Sequence, residues 1–413
     1  MSISRNYLIV LPDDFPSSLT VTMLCGCTWT VNRWASALYR AMKRAANSSL
    51  CATSPYNVWD RERDWNSVSK IATSPGLLGF VAIMGMSCAG QSPSATIGNG
   101  QVTAMLYLPD AQTGYYRGTR FDWSGMVGSL EYAGHNYYGK WFDRVDTKVF
   151  DFTFDGEDVV TNPCNSVTGV PEEFVSNHLA LGWDEAKAGG TFVKIGIGVL
   201  RKPDDLPYSS FRQYEIVDGG KWTVERKSDS VEFTQELADP SSGYGYVYRK
   251  RVSLRPGKPQ MVLEHTLKNT GKRAIKTSVY DHNFVDWDQQ APGPDWNIRL
   301  GFAAHGEIAK GNGLIEFRGN QVVVPRPLRS GDVVMAYING FGNSSADYDF
   351  RVENRKLGLG VRATADRPLA AAAMWSIRSV ASLEPFIDMT IGPGDEFSWT
   401  IRYDYYTVAK SSH

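Results

Sequence analysis

The chain has 413 residues and a formal net charge of -1, with 21% charged residues of both signs spread along it. That length suffices for one large β-domain or two average domains. The near-neutral balance, with no basic stripe, excludes bulk nucleic-acid binding through an electrostatic footprint. Four of the five cysteines (Cys25, Cys27, Cys51 and Cys88) lie within the first 90 residues, and Cys164 stands alone after them. The remainder therefore cannot form an internal disulfide. Cys25 and Cys27 are too close for a C-x-x-C motif and have no histidine cluster beside them, which argues against a zinc site.

Residues 1–67 lack sustained alternation, contain the basic residues Arg40, Lys43 and Arg44, and end in the polar run Asp60–Asn66. Residues 68–89 then read as an export leader. Lys70 supplies the positive start, Gly76–Met86 is an apolar run too short to span a bilayer, and Ser87 and Ala89 occupy small-x-small cleavage positions. A leader begins a protein. The expectation is that translation starts near Val68, that 1–67 are an upstream extension without an evolved fold, and that the mature chain begins near Gly90. The protein is then periplasmic or secreted. Otherwise it is cytoplasmic and the apolar run is a buried core element.

Beyond about residue 93 the texture becomes that of strands. Apolar or alternating segments include Gln101–Tyr107, Phe192–Val199, Trp222–Arg226, Ser230–Gln235, Tyr246–Val252, Met261–Leu267, Asn320–Val324, Leu357–Val361 and Glu396–Tyr403. Turn signals at Pro256-Gly257, Asn269-Thr-Gly271, Gly311-Asn-Gly313 and Pro393-Gly394 separate them. Long 3.6-residue periodicity is scarce, so residues 90–413 are predicted to be all-β, a large antiparallel β-sandwich. No equal-length repeat supports a propeller.

Five internal histidines follow the leader: His135, His178, His265, His282 and His305. His265 lies in an alternating strand without an evident partner and reads as structural, and His305 reads as a strand end near the surface. His178, after the acidic stretch Pro171-Glu-Glu-Phe174, is open to either role. His135 lies among glycines and tyrosines in Glu131–Gly139, and His282 closes the strand-end segment Ser278–Phe284, ahead of the loop Trp287–Trp296. Glu384 stands between Leu383 and Pro385. An apolar setting disfavours the charged carboxylate and raises its pKa, which makes a base near neutral pH. The alternative is a surface glutamate at a strand end.

Met261–Phe284, with its strand, Asn-Thr-Gly turn, second strand and histidine followed closely by an aromatic, resembles the aldose 1-epimerase (galactose mutarotase) superfamily. Leu383-Glu-Pro385, Ile391-Gly-Pro-Gly-Asp-Glu396 and the closing aromatic strand are similar to that family's glutamate motif and terminal strand. Arg117-Gly-Thr-Arg-Phe121 resembles its arginine motif, and His135 follows at about the family's interval. Asp281 stands where the family commonly has Asn, Gly134-His-Asn-Tyr137 replaces its His-Gly-Gly signature, and the long gap from His135 to His282 implies an insertion around residues 165–220.

The resemblance implies a galactose mutarotase-like supersandwich that interconverts sugar anomers. Glu384 is then the base and His282 the acid, kept protonated by a neighbouring carboxylate. His135 and Arg120 hold sugar hydroxyls, with Arg117 as second choice, and Asp281, Asp288 and Trp296 line the pocket. The partner is a monosaccharide or glycan end. The chemistry requires no metal or organic cofactor, and the aspartates of the 281–295 loop lack EF-hand spacing. Aromatic residues at 12% suit sugar stacking or simple strand preference. Two alternatives stay open. One is a non-catalytic carbohydrate-binding module. The other is a glycoside hydrolase or lyase using Glu384 with Asp288 or Glu185, which needs carboxylates roughly 5–9.5 Å apart.

Overall fold

The alternation of Met261–Leu267 and Glu396–Tyr403 becomes two adjacent antiparallel strands, Gln260–Asn269 and Glu396–Thr407, with Leu263 opposite Ile401. A computed structural model describes residues 18–22, 28–32 and 92–410. The chain divides into two units, Met1–Met84 and Gly85–His413. In the first, Ser18–Thr22 and Thr28–Asn32 pair antiparallel. The leader-like segment 68–89 lies outside the described residues.

The second unit is the antiparallel β-sandwich anticipated from residue 90 onward. One sheet has ten strands, beginning with the meander Lys221–Arg226, Ser230–Asp239, Tyr244–Leu254 and Gln260–Asn269. The other has six, in the order Glu172–Val175, Ile275–Asp281, Val380–Ile391, Ala371–Ile377, Val334–Asn339 and His305–Lys310. His305 therefore lies exposed on the far edge strand, as its sequence context indicates. The sheets meet where Phe174 packs edge-on against Tyr248 and Trp399, with ring centroids 5.4 and 6.2 Å away. Each large apolar side chain removed from water there contributes roughly 1.5–3 kcal/mol.

The outer face of the six-stranded sheet packs a second core, in which Trp141, Phe284, Trp375, Ile377 and Val380 take part. Two three-stranded sheets contribute to this core. Arg144–Val145 with Asp158–Thr161 is the one parallel pair among the named, described strands. Phe192–Val199, expected as a single segment, is instead a hairpin of Thr191–Lys194 and Gly198–Arg201. Its turn holds Gly196 at φ +77°, where an added Cβ would sit 2.5 Å from Asp122 Oδ1. Ile195 and Ile197 flank the turn and enter different cores. A continuous apolar run can thus serve two layers.

The interface between the large sheets also holds charge. Glu172 Oε2 accepts from Lys250 Nζ at 2.5 Å and lies 3.0 Å from His265 Nε2. Lys250 donates to the Ser124 carbonyl at 3.0 Å and lies 3.6 Å from Asp122, to which the Tyr248 hydroxyl donates at 3.0 Å. Burial alone would raise the Glu172 pKa, but His265 and Lys250 outweigh it and hold the carboxyl at about 2. His265 is structural as read, yet it has a buried partner that its strand context did not disclose. Removing one member of such a set leaves an uncompensated buried charge. Lys250→Met is expected to lower the unfolding free energy by about 3–5 kcal/mol, and Lys250→Met/Glu172→Gln to recover part of the loss, as measured by urea denaturation.

Candidate active site

Three neighbouring strands of the six-stranded sheet build the site. Glu172 pairs with Asp281 and Glu173 with Tyr280, and Tyr280 pairs in turn with Phe386. Side chains alternate between faces with period two. Glu172 and Asp281 consequently turn inward to the ten-stranded sheet, and Glu173, Tyr280 and Phe386 turn outward. The Tyr280 and Phe386 rings stack with centroids 4.0 Å apart. The chain leaves the ladder at His282, whose N–H donates to the Pro171 carbonyl at 2.9 Å. It resumes the same register at the bridge of Val285 with Ala381. That continuity puts His282 opposite Glu384 on the outward face.

Arg120 and Lys194 reach this face from the segments that cover it. Arg120 Nε donates to Glu173 Oε2 at 2.8 Å, and its Nη2 lies 3.2 Å from His282 Nε2. Its guanidinium lies over the rings of Phe121 and Phe211, at 4.6 and 4.4 Å from their centroids. Lys194 Nζ donates to Glu173 Oε1 at 2.9 Å and to the Tyr208 hydroxyl at 3.2 Å, while the Tyr280 hydroxyl donates to Glu173 Oε2 at 2.7 Å. His282 and Glu384 are 3% and 6% exposed. The Arg120 side chain, at 14%, is the more open part of the cluster.

This packing sets the charges. Burial favours a neutral Glu173, but Lys194 and Arg120 prevail and hold its carboxyl at about 2. Glu384 has no such pair of cations. Burial pushes it up to about 7, with Arg120 only partly opposing the rise. The elevated carboxyl expected from its apolar flanks is therefore present.

The expected imidazolium is not. Burial, and then Arg120, drive His282 well below its ordinary 6.5, against the weaker pull of Glu173. A guanidinium can only donate, so Nε2 faces Arg120 as an acceptor and the neutral ring carries its proton on Nδ1. That nitrogen is buried without a hydrogen-bond partner. The neighbouring carboxylate anticipated for His282 exists as Glu173, but Lys194 and Arg120 already neutralise it.

The other predicted residues separate. Asp281 is corrected from pocket lining to the interior, because it is one residue from His282 and faces the opposite way. It is 1% exposed, and its Oδ2 accepts from the Tyr348 hydroxyl at 2.7 Å. Trp296 is also corrected. It begins the buried strand Trp296–Leu300 and packs on Trp287 with ring centroids 5.0 Å apart, inside the main core. His135 Nδ1 lies 2.8 Å from Asp288 Oδ2 in a second, half-exposed polar pair. Asp288 stands in a run of non-glycine residues with positive φ: Trp287 at 20°, Asp288 at 54° and Gln289 at 60°. Such local strain is concentrated where structure serves function. Arg117 donates to the Gln112 carbonyl. Glu185 is exposed and paired with Arg273, so it does not face Glu384 as a second carboxylate.

Glu173 and Lys194 were missed in the sequence. Glu172 and Glu173 read as an acidic loop, whereas they begin the strand Glu172–Val175 and both are fully buried. The available signal was their apolar flank, Gly169-Val-Pro171 before and Phe174-Val175 after. Charges set in such a run are buried only when paired.

No family model and no curated protein matches the chain. Among solved structures it is similar to a galactose mutarotase-like protein from Lactobacillus casei ATCC 334, with 13% identity over 76% of this chain and 100% of that one at a TM-score of 0.43. A GalM/aldose epimerase homologue from C. elegans has 13% identity over 77% and 100%, with a TM-score of 0.43. A galactose mutarotase-like protein from Clostridium acetobutylicum has 11% identity over 76% and 95%, with a TM-score of 0.44.

The Glu384 carboxyl titrates near 7 in the folded chain against an ordinary 4.5. Between those values the folded state keeps a proton that the unfolded state releases. The stabilisation is full below about 4.5 and is lost as pH rises through about 7, a change of roughly 3 kcal/mol. Glu384→Gln removes this component. Urea midpoints at pH 5 and pH 8 are expected to differ less in the variant than in the wild type, and equal differences would mean a solvated Glu384.

Proposed function

We propose that the chain is a carbohydrate-active enzyme of the aldose 1-epimerase type, which interconverts the anomers of a free sugar by acid/base ring opening. The observation that carries the reading is a carboxyl poised near 7, Glu384, in register with a neutral buried imidazole, His282. Mutarotation needs one base for the O1 proton and one acid for the ring oxygen. A single proton shared by Glu384 and His282 supplies both roles. The arrangement of Glu384 carboxylate with His282 imidazolium and that of protonated Glu384 with neutral His282 carry the same number of protons. Burial favours the second, and the Arg120 guanidinium, 3.2 Å from His282 Nε2, disfavours the imidazolium of the first.

The roles implied by the resemblance are therefore exchanged. His282 Nε2 takes the O1 proton, and the O1–H group replaces Arg120 as its donor. Protonated Glu384 gives its proton to the ring oxygen as the bond from C1 to that oxygen breaks and C1=O1 forms. After rotation about C1–C2, the ring hydroxyl attacks the other face of C1 and returns its proton to Glu384, while O1 recovers the proton held by His282. Arg120, still anchored by Glu173, stabilises negative charge developing on O1. His135 and Arg120 are proposed hydroxyl ligands, with Arg117 as second choice and Asp288 as pocket lining, and residues 68–89 are a proposed export leader. A hydrolase is the weaker reading, because Glu173, the buried carboxylate beside Glu384, is ionised and already accepts from Lys194, Arg120 and Tyr280.

Polarimetry on freshly dissolved α-anomers of common hexoses and pentoses tests the proposal. The rate is expected to fall about tenfold per pH unit above about 7, as Glu384 loses its proton. Glu384→Gln should lose roughly 10²–10⁴-fold. A rate that climbs with pH through 7 would contradict the one-proton pair and make Glu384 the base acting alone. Sugar binding without acceleration would make the protein a carbohydrate-binding module.

A further inference from the structure

We propose that Phe150 and Phe211, beside Arg120, form an aromatic platform for a second sugar ring, so that the sugar acted upon is the reducing end of a longer glycan. The inference rests on the proposed function for the identity of the first sugar. Phe150 is 61% exposed. A single exposed apolar side chain is ordinary, but this one is held in a fixed setting. Three successive carbonyls of its loop accept side-chain donors: Val149 from Asn162 Nδ2 at 2.6 Å, Phe150 from Asn165 Nδ2 at 3.2 Å and Asp151 from Thr161 Oγ1 at 2.9 Å. The backbone that carries the ring is fixed while the ring faces solvent.

Phe211 supplies the second surface. Its ring lies 6.1 Å from that of Phe150 at an interplanar angle of 48°. Its own loop is closed by Arg212, which reaches both carboxylate oxygens of Asp204 at 2.9 and 2.6 Å. Two half-open rings inclined to one another offer apolar faces to the C–H surface of a pyranose, and burying them there recovers the hydrophobic free energy that exposure forgoes.

The surroundings favour a sugar over a purely apolar guest. Asp151 follows Phe150 in sequence, is half-buried and lies within electrostatic reach of Arg120. A carboxylate accepts from sugar hydroxyls, and a guanidinium donates to their oxygens. The platform is continuous with the proposed proton-transfer pair, because the guanidinium under Phe211 is the one that lies 3.2 Å from His282 Nε2. A glycan with its reducing unit at His282 and Glu384 would direct its next ring past Arg120 onto the phenylalanines.

Isothermal titration calorimetry with cellobiose, maltose and lactose against glucose and galactose, on wild type, Phe150→Ala and Phe150→Trp, tests this. At least one disaccharide is expected to bind the wild type about tenfold more tightly than either monosaccharide. Phe150→Ala should remove that advantage without altering monosaccharide affinity or the melting temperature, and Phe150→Trp should retain it. If monosaccharides bind and mutarotate but Phe150→Ala leaves every disaccharide unchanged, the platform is overturned and the enzymatic reading stands. If no sugar is mutarotated yet Phe150→Ala selectively weakens a disaccharide, the platform stands and the enzymatic reading falls. No sugar binding, or self-association abolished by Phe150→Ala, overturns the platform in favour of a protein contact.

Discussion

Two consecutive carboxylates, Glu172 and Glu173, are buried on opposite faces of one strand, and each requires cations from elsewhere in the chain. Burial of an unpaired charge costs several kcal/mol, a large share of a domain's net stability. The inward Glu172 draws Lys250 from the ten-stranded sheet and lies 3.0 Å from His265 Nε2, and the outward Glu173 draws Arg120 and Lys194 from the segments that cover the other face. Sheet packing on one side and site assembly on the other are therefore two solutions to the same electrostatic requirement. They meet at one peptide bond.

The chemistry of the outward face follows from how unequally its cations are shared. Glu173 takes hydrogen bonds from Lys194, Arg120 and Tyr280, and is fully ionised. Glu384 feels Arg120 only at a distance and stays near neutrality. His282 Nε2 faces Arg120 Nη2, and burial together with that guanidinium holds its pKa well below the ordinary value. Two carboxyls with identical covalent structure thus differ because the cations bind one of them. The burial that disfavours an imidazolium at His282 also favours a protonated Glu384, and Arg120 separates the two further by acting most directly on His282.

Much of the fold was legible. Gln260–Asn269, Tyr244–Leu254 and Glu396–Thr407 carry alternation that only a sheet with one buried face requires, and glycine-containing turns stand between them. The raised pKa of Glu384 also followed from its apolar flanks. Other features depended on distant partners. Adjacent glutamates break the period-two apolar signal, and Lys194 and Lys250 carry no local mark of the carboxylates they neutralise. Asp281 and His282 are neighbours in sequence yet lie on different faces of a sheet. Trp296 and Phe150 are both aromatic residues beside loops, and composition cannot tell the buried ring from the exposed one. The hairpin inside Phe192–Val199 was hidden because both of its sides are buried, which makes the run continuous.

The strand Glu172–Val175 has four residues and lies at the edge of its sheet, so its hydrogen bonds to Ile275–Asp281 are too few to exclude a neighbouring alignment by themselves. A slip by one position in one direction would present Phe174 to Arg120 and Lys194. A slip in the other would press Glu173 between Tyr248 and Trp399 and bring Pro171 to Lys250. Either error strands a cation cluster. The opposed charges therefore act as a registration pin: a short edge strand, weakly specified by its backbone, is aligned from both sides by side chains that themselves belong to other layers.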